Sequence, residues 1–421
     1  MLRSAPLCLA LCATAAAVTA GSVNFGPLVP LVTGSGLQSD LDLAVDSAGA
    51  SHIAYVRSDG DPEVFYLTDL GGEWSAPLRL TTSDAADIAV RIVVLGPGDV
   101  IVGYQHEGGD RDLIFQRVTN GVENGSDLSA GEDLSDLLLG LTAAGPDSWA
   151  ALSLTAGPSV DELAVWEIDA AGTVTKSTVA LALNVRFFAG AIASGPDGVL
   201  HVVVQMVSTA PGSITRLMYS NNRGGSFGPL AQVLSDARGG DVALHVDDNN
   251  TVYCVARSTS DTRVRFSLDG GELFNNLISF GATDLQAVSA RPNGIDIFEV
   301  VEFENLLGLW RLTGTGLSPR VDVPTPGWRA ADIEYFNGDH FAVTSGPLQF
   351  TRTGGVEPAG LGDVNLSGAV DAADIVALRN HLDGMRNLNA AGLLFADVDG
   401  DLQITDDDVS AIASLVIGSG R

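Results

Sequence analysis

A turn signal that recurs at a nearly constant spacing constrains the fold of this chain more than any other feature of its sequence. Apolar, alternating stretches flank each turn, and the central turn residues lie 44 to 52 residues apart. Repeats of this length, built only from strands and turns, are typical of four-stranded units arranged around an axis. The seven turns are Ser47-Ala48-Gly49, Gly96-Pro97-Gly98, Gly145-Pro146-Asp147, Pro196-Asp197-Gly198, Asp248-Asn249-Asn250, Pro292-Asn293-Gly294 and Asn337-Gly338-Asp339.

The spacing predicts a mainly β fold, a seven-bladed β-propeller with a six-bladed ring as the alternative. Hydrophobic residues make up 46% of the chain and charged residues 18%, which is enough apolar material for a large core. The seventh repeat stops near Arg352, one strand short of four. The segment 24–28 shares the sequence Phe-Gly-Pro-Leu with the outer strand of the fourth repeat at 226–230. We therefore expect residues 22–33 to supply the missing outer strand and close the ring.

The charge of the chain excludes whole classes of partner. Asp and Glu number 52 against 22 Lys and Arg, which gives a formal net charge of −30. A chain this acidic repels phosphate backbones and anionic lipid, so we expect no nucleic-acid binding.

The first twenty residues have the composition of a secretory signal peptide. Arg3 is followed by a short apolar run and the small-residue site Val18-Thr19-Ala20. The run is too short to cross a bilayer, so no membrane span is predicted. The expected location is secreted, either extracellular or associated with the cell surface. Cys254 would be the one cysteine left after cleavage, so no internal disulfide is expected.

A second motif lies between the third and fourth strands of several repeats. Residues 267–274 read Ser-Leu-Asp-Gly-Gly-Glu-Leu-Phe, residues 220–227 repeat the pattern with Asn222 for Asp, and Asp69, Gly71 and Trp74 keep its second half. These octets resemble the Asp-box of sialidase-type (BNR) propellers. The resemblance implies a structural box, in which the Asp side chain bonds the turn and the aromatic ring enters the core.

The propeller offers two sets of candidate side chains but no catalytic constellation. Asp precedes an apolar residue at the start of six repeats, where a ring of carboxylates could face the channel, although Asp also simply favours the turn before a strand. His52, His201 and Tyr253 share one repeat position, which favours a packing role. The Phe-Arg-Ile-Pro segment of true sialidases is absent, and no spacing selects two carboxylates for glycoside hydrolysis. Catalytic residues are therefore unknown. The six pairs are Asp42-Leu43, Asp87-Ile88, Asp136-Leu137, Asp241-Val242, Asp284-Leu285 and Asp332-Ile333.

The last sixty residues contain the most specific motif of the sequence, a pair of loops with regularly spaced oxygen-bearing side chains. Two loops that begin at Asp363 and Asp397 place oxygen-bearing side chains at positions 1, 3, 5, 9 and 12, and each leads into an apolar, helical stretch. This is the ligand spacing of a twelve-residue calcium loop. Gly368 stands at the sharp bend of the first loop, whereas Leu402 occupies that place in the second. Two calcium sites are predicted, the second with this departure from the pattern.

The tandem loops resemble a type I dockerin, the calcium-dependent module that docks onto cohesin modules of bacterial scaffolds. Both loops end in Asp rather than Glu, as in that family. The resemblance implies metal ligation by Asp363, Asn365, Ser367, the Ala369 carbonyl, Asp371 and Asp374, and in the second loop by Asp397, Asp399, Asp401, the Gln403 carbonyl, Thr405 and Asp408. It also implies partner-reading positions at Ala372, Ala373, Arg379, Asn380, Asp406 and Asp407, and a cohesin-like partner.

These observations divide the chain and leave three classes of function open. The expected division is a signal peptide at 1–20, a sialidase-like propeller at 21–353, a linker at 354–361 and a dockerin-like calcium module at 362–421. The propeller would bind a glycan or a protein while the module tethers it to a scaffold or cell surface. The alternatives are an extracellular glycoside hydrolase or lyase of polysaccharide degradation, and a component that serves assembly alone.

Overall fold

Among the residues that the structure describes, those up to Arg352 form strands and the turns between them, and two helices lie beyond that residue. The computed structural model describes residues 29–32, 38–352 apart from short gaps in turns and connections, 370, 372–383, 396, 398 and 404–419. The predicted signal peptide lies outside these residues. The strands are β1 (Val29–Pro30), β2 (Gln38–Val45), β3 (Ser51–Arg57), β4 (Glu63–Thr68), β5 (Leu78–Arg79), β6 (Asp87–Gly96), β7 (Asp99–His106), β8 (Asp112–Thr119), β9 (Val122–Glu123), β10 (Leu128–Ala130), β11 (Ser135–Gly145), β12 (Ser148–Ala156), β13 (Val160–Ile168), β14 (Val174–Leu183), β15 (Val185–Ser194), β16 (Leu200–Ser208), β17 (Thr215–Asn221), β18 (Ala231–Leu234), β19 (Ala237–Val246), β20 (Val252–Ser258), β21 (Thr262–Ser267), β22 (Asn276–Phe280), β23 (Asp284–Arg291), β24 (Gly294–Val301), β25 (Leu306–Thr313), β26 (Gly316–Leu317), β27 (Val321–Pro324), β28 (Ala331–Phe336), β29 (Asp339–Thr344) and β30 (Gln349–Arg352).

The strands form seven antiparallel sheets, each made of strands that are consecutive in the chain except at the ring closure. Blades 1 to 6 are β2–β5, β6–β10, β11–β14, β15–β18, β19–β22 and β23–β27, and blade 7 is β28–β30 with β1 added. In blades 2 and 6 two short strands pair with the third strand of the blade. The seven-bladed prediction is confirmed, and the six-bladed alternative is wrong.

The N-terminal strand closes the ring, as the sequence predicts. Strand β1 pairs with β30, with Val29 opposite Phe350 and Pro30 opposite Gln349. The backbone N–H of Leu31 then donates to the Leu348 carbonyl at 2.9 Å. Proline is tolerated here because an outer strand has one unpaired edge.

The core lies between blades rather than within any one of them. Six clusters of buried apolar side chains each join two adjacent blades, and together they cover six of the seven junctions among the described side chains. Both faces of a central blade strand are therefore covered. For this reason six of the seven residues of β3 are buried, instead of every second one.

Two helices, α1 (Ala372–Leu382) and α2 (Asp406–Ser419), begin at the ends of the predicted calcium loops. They share a small core that contains Ala377, Leu378 and Ile412, all buried. Within the described residues, neither helix is long and apolar enough to span a membrane.

Removing the apolar side chain beside the closing strand should loosen the whole ring. Leu31 is 4% exposed and packs with Phe341 and Phe350 of blade 7. We expect Leu31→Ala to lower the free energy of unfolding by about 2–5 kcal/mol, because it leaves a cavity at the seam. Denaturant unfolding measures the change.

The matched control is Leu183→Ala, at a side chain that is 68% exposed. This variant should unfold at the wild-type denaturant concentration. Equal midpoints for the two variants would show that the closing segment contributes nothing to stability.

Candidate functional site

The ends of the two predicted calcium loops are the part of the dockerin-like module that the structure describes best. Asp374 and Asp408, the residues at position 12, lie in the first turns of α1 and α2. Both are buried, with 0% exposure. Acidic side chains in the first helical turn are favoured by the helix dipole, so each carboxylate is held where a loop meets its helix.

Asp408 also fixes the two ends of the second loop. One carboxylate oxygen accepts the Val398 N–H at 2.7 Å, and the other accepts the Thr405 N–H at 2.9 Å. A buried carboxylate that bonds both ends of its loop fits the closing ligand of a calcium site.

Most predicted ligands cannot be placed. Asp363, Asn365, Ser367, Ala369, Asp371, Asp397, Asp399, Asp401 and Gln403 lie outside the described residues. Among the residues that the structure does describe, no three His, Cys, Asp or Glu side chains come together as a metal cluster.

The predicted partner-reading positions lie on the helical surface. Ala372, Ala373, Asp406 and Asp407 are exposed at the helix starts, and Asn380 is half-buried. Arg379, half exposed, forms an ion pair with Asp406 and lies 3.4 Å from Asp383. The Arg379–Asp406 ion pair thus connects the first calcium-loop repeat to the second, and both residues are ones that the dockerin resemblance assigns to partner binding.

A second candidate site is the central channel of the propeller, a cavity of about 370 Å³. Its wall is mostly apolar or glycine, and its charged side chains cluster where blades 7, 1 and 2 meet. They are Asp40, Asp42, Arg91, Asp332 and Glu334.

The carboxylates of this cluster bond across the blade junctions. Asp332 accepts the Leu43 N–H of blade 1 at 2.7 Å, and Asp42 accepts the Ile92 N–H of blade 2 at 2.7 Å. Asp42 and Asp332 are also hydrogen-bonded to each other. Two carboxyl groups in direct contact are closer than the ~5 Å or more that glycoside hydrolysis requires.

Burial and repulsion together keep a proton on this pair. Burial raises the pKa of Asp42, while attraction to Arg91 opposes the rise. Burial raises the pKa of Asp332 well above its usual value, and repulsion from Asp42 and Glu334 adds to the rise. The two side chains therefore titrate as a pair that shares a proton.

Of the six Asp residues at the repeat starts, Asp42 and Asp332 line the channel, and the described side chains form no complete ring of carboxylates. The Asp87 carboxylate lies 2.8 Å from His106 Nδ1, and Asp136 accepts the Thr155 hydroxyl, so neither lines the channel. The side chains of Asp241 and Asp284 lie outside the described residues.

Bulges explain why the ring is broken. Six innermost strands carry a register shift near their start: β2, β6, β11, β15, β19 and β23. A bulge re-aims every side chain that follows it. Asp87 and Asp136 precede the shift in their strands, whereas Asp42 follows it. Sequence reasoning did not select Arg91 or Glu334. Arg91 follows the bulge of β6, which nothing in the sequence marks. Glu334 lies two residues after Asp332 in β28, whose pairing with β29 has no register shift, so strand alternation could have found it.

The octets have the structural geometry that the resemblance implies. In the turn after β21, the Asp269 carboxylate accepts the N–H groups of Glu272 and Leu273 at 3.1 and 3.0 Å. The ring of Phe274 then meets Tyr219 edge-on at 4.8 Å between centroids. The box aromatic therefore packs against the neighbouring blade.

The shared histidine position is also a packing position. His52 and His201 are buried, and their Nδ1 atoms lie 2.6 Å from the hydroxyls of Tyr66 and Tyr219. Burial lowers the pKa of His201 to about 4, so this imidazole is neutral at neutral pH. His52 and His201 lie in blades 1 and 4, so they do not form a joint metal site.

Comparison with known families and structures supports both the dockerin-like module and the propeller. Residues 361–416 match the dockerin type I domain. Solved structures that resemble the chain are propellers. A polysaccharide lyase of family PL25, an ulvan lyase, has a TM-score of 0.52 at 10% identity, over 77% of this chain and 95% of that one. A protein of unknown function from Dyadobacter fermentans DSM 18053 has a TM-score of 0.50 at 12% identity, over 79% and 99%.

Sialidases are also among these structural neighbours. The Hadza microbial sialidase Hz136 has a TM-score of 0.47 at 10% identity, over 72% of this chain and 76% of that one. A search of curated protein sequences finds no match. The chain thus combines a seven-bladed propeller with a dockerin type I domain at 361–416.

Neutralising one member of the channel pair should change how stability depends on pH. The folded pKa of Asp332 lies above the unfolded value, so the pair stabilises the protein most at low pH and loses that contribution as pH rises. Asp332→Asn removes the ionisation, so its stability relative to wild type should rise with pH. We expect the difference in unfolding free energy between Asp332→Asn and wild type to grow from pH 4.5 to pH 7.5, the range above the ordinary pKa of an Asp side chain.

Denaturant unfolding at several pH values tests this expectation, with the exposed Asp84→Asn as control. A variant Asp332→Asn whose stability runs parallel to wild type across this pH range would rule out the shared proton.

Proposed function

We propose that this protein is a secreted, calcium-binding, tethered propeller: its dockerin module attaches to a cohesin-type scaffold or cell surface, and its propeller binds a glycan or protein. The observation that carries this proposal is the dockerin type I match at 361–416, supported by the buried Asp374 and Asp408 at the helix starts. Dockerin domains bind calcium and typically bind cohesin, so the same partner class is proposed here.

The proposed division of the chain follows the same logic. A signal peptide at 1–20 would direct export, and residues 354–361, rich in glycine, would link the propeller to the module. The last propeller strand ends at Arg352, just before that linker.

Two calcium ions are proposed, one for each loop. Calcium supplies charge neutralisation for the carboxylates of each loop, and Asp374 and Asp408 would hold the ions against the helix starts. Because the ion binds only the folded module, it would add ~2.7 kcal/mol of stability at a hundred-fold excess over Kd.

The enzyme alternative receives less support from the geometry. The carboxyl pair of the channel, Asp42 and Asp332, is hydrogen-bonded and too close for the two roles of a glycosidase. We therefore favour binding over turnover. Hydrolysis or elimination of polysaccharide by the purified chain, measured as released reducing ends, would reverse this preference.

Calcium titration of the full chain tests the metal sites. Isothermal titration calorimetry of wild-type protein should count two calcium ions. Asp408→Asn keeps a carbonyl acceptor for only one of the two N–H groups of Val398 and Thr405, and it loses both the charge and the second acceptor oxygen. We expect it to lose one ion or to weaken that site by at least about tenfold, or ~1.4 kcal/mol.

The matched control is Asp407→Asn, at the neighbouring exposed carboxylate of the same helix turn, which should titrate as wild type. Equal calcium binding by both variants would remove Asp408 from the ligand set, and no calcium binding by wild type would refute the proposal. Binding of an immobilised type I cohesin, with and without EDTA, separately tests the tether.

A further inference from the structure

Two neighbouring cavities open at one end of the blade 1 strands, away from the central channel and on opposite sides of the blade 1 sheet. The first lies on the side that carries Phe65 and packs with blade 7, and the second lies between blades 1 and 2. The hairpin turn after β2 and the box turn after β4 lie at one end of the blade 1 strands. The turn 58–62 and the connection 80–86 lie at the other end. The cavities, of about 470 and 320 Å³, lie at this second end, and Thr82 lines both. We call them together the rim groove. Both volumes fall in the ~300–1,000 Å³ range of small-molecule sites.

An aromatic ring is held in place in the first cavity. Phe65, half-buried, is stacked on the buried Tyr55, with ring centroids 5.6 Å apart and 20° between the planes. The Arg57 guanidinium lies over the Phe65 ring, 5.9 Å from its centroid. The cavity therefore has a rigid apolar surface with a hydrogen-bond donor beside it.

Three hydrogen-bonded residues, Arg79, Thr81 and Glu63, lie close to the Phe65 ring. Arg79 Nη2 donates to Glu63 Oε1 at 2.5 Å, and Arg79 Nε donates to the Thr81 carbonyl at 2.7 Å. The Thr81 hydroxyl donates to the other oxygen of Glu63. The Arg79 side chain is about half exposed, whereas Glu63 is buried. The guanidinium of Arg79 is therefore already held in one orientation beside the cavity, so a ligand that binds there loses little free energy to ordering of this side chain.

The charges of the first cavity nearly cancel. Two arginines, Arg57 and Arg79, are set against three carboxylates, Asp61, Glu63 and Asp84. Such a lining alternates donors and acceptors but attracts neither anions nor cations strongly. It therefore fits a ligand rich in hydroxyl groups and without net charge.

The second cavity adds an oriented imidazole. His106 Nδ1 lies 2.8 Å from the Asp87 carboxylate, which is 1% exposed, while the His106 side chain is 28% exposed. The buried carboxylate fixes the ring in one orientation. Tyr104 and Ile114 supply the apolar part of the wall.

We propose that the rim groove binds a neutral saccharide. The CH face of a pyranose packs on Phe65, and its hydroxyls bond to Arg57, Arg79 and the acidic groups beside them. A second sugar unit reaches His106 past Thr82. This assignment rests on the proposed function, since it names the ligand class and the site of the tethered propeller.

A substitution that fills the cavity without disturbing the fold tests the site. A Cβ at Gly60 would meet no atom within 4 Å, so Gly60→Trp places an indole in the first cavity without backbone strain. Gly224→Trp is the matched control, because a Cβ there also meets nothing and Gly224 lies in the box turn on the opposite face.

Isothermal titration calorimetry of the calcium-loaded full chain is the measurement. The probes are cellohexaose, xylohexaose and mannohexaose, with hexagalacturonate as the charged comparator. We expect at least one neutral hexaose to bind wild type and Gly224→Trp equally, and to bind Gly60→Trp at least about tenfold more weakly, or ~1.4 kcal/mol. Thr82→Trp, at an exposed residue that lines both cavities, should reproduce the loss.

Three results overturn the proposal: no binding of any neutral hexaose, binding that both tryptophan variants of the groove leave unchanged, or binding of hexagalacturonate alone. The calcium count from the same protein separates the two proposals. Two bound calcium ions without saccharide binding would refute the rim groove and leave the tether intact.

Discussion

The pairing of β1 with β30 is the interaction on which the rest of the propeller depends. The buried core lies between blades, so each blade is stable only if it has a neighbour on both sides. The chain therefore has to join its two ends, and it does so through Val29 and Pro30 against Phe350 and Gln349. Carboxyl groups of the channel wall reinforce this closure. Asp332 of blade 7 bonds the backbone of blade 1, and Asp42 of blade 1 bonds the backbone of blade 2.

These hydrogen bonds indicate that the channel carboxyl groups hold adjacent blades together rather than form a ligand site. A ring of acids would suggest a site for a cation or a sugar. In the channel wall, however, Asp40, Asp42 and Asp332 accept backbone N–H groups of adjacent blades, and Glu334 accepts the Ser289 hydroxyl of blade 6. Asp42 and Asp332 share a proton because neither can be moved away from the other without breaking a backbone hydrogen bond. The channel thus serves ring closure first. The groups with chemistry suited to a ligand lie further out, beside Phe65 and His106.

The dockerin module and the propeller differ in what stabilises them. The described residues of the module form a small core with Ala377, Leu378, Ala396 and Ile412 buried, and a domain of about sixty residues gains from further stabilisation. Calcium at the loop ends would supply it. The propeller, by contrast, has extensive inter-blade packing. The proposed division into a calcium-dependent module and a propeller held together by apolar packing agrees with these two cores.

Features that depend on local chemistry could be predicted from the amino-acid sequence. Turn residues at a spacing of 44 to 52 indicate seven blades, the repeated Phe-Gly-Pro-Leu segment indicates the closing strand, and the oxygen spacing from Asp363 and Asp397 predicts the calcium loops. Which side chains meet depends on how distant strands are brought together in the fold. Asp87 and Asp136 precede the bulges of their strands and do not line the channel, whereas Asp42 follows its bulge and does, because a shift of one residue turns a side chain to the other face. The contact between Leu43 and Asp332 spans 289 positions, and no local pattern encodes it. The rim groove likewise depends on which side chains the fold brings together around Thr82.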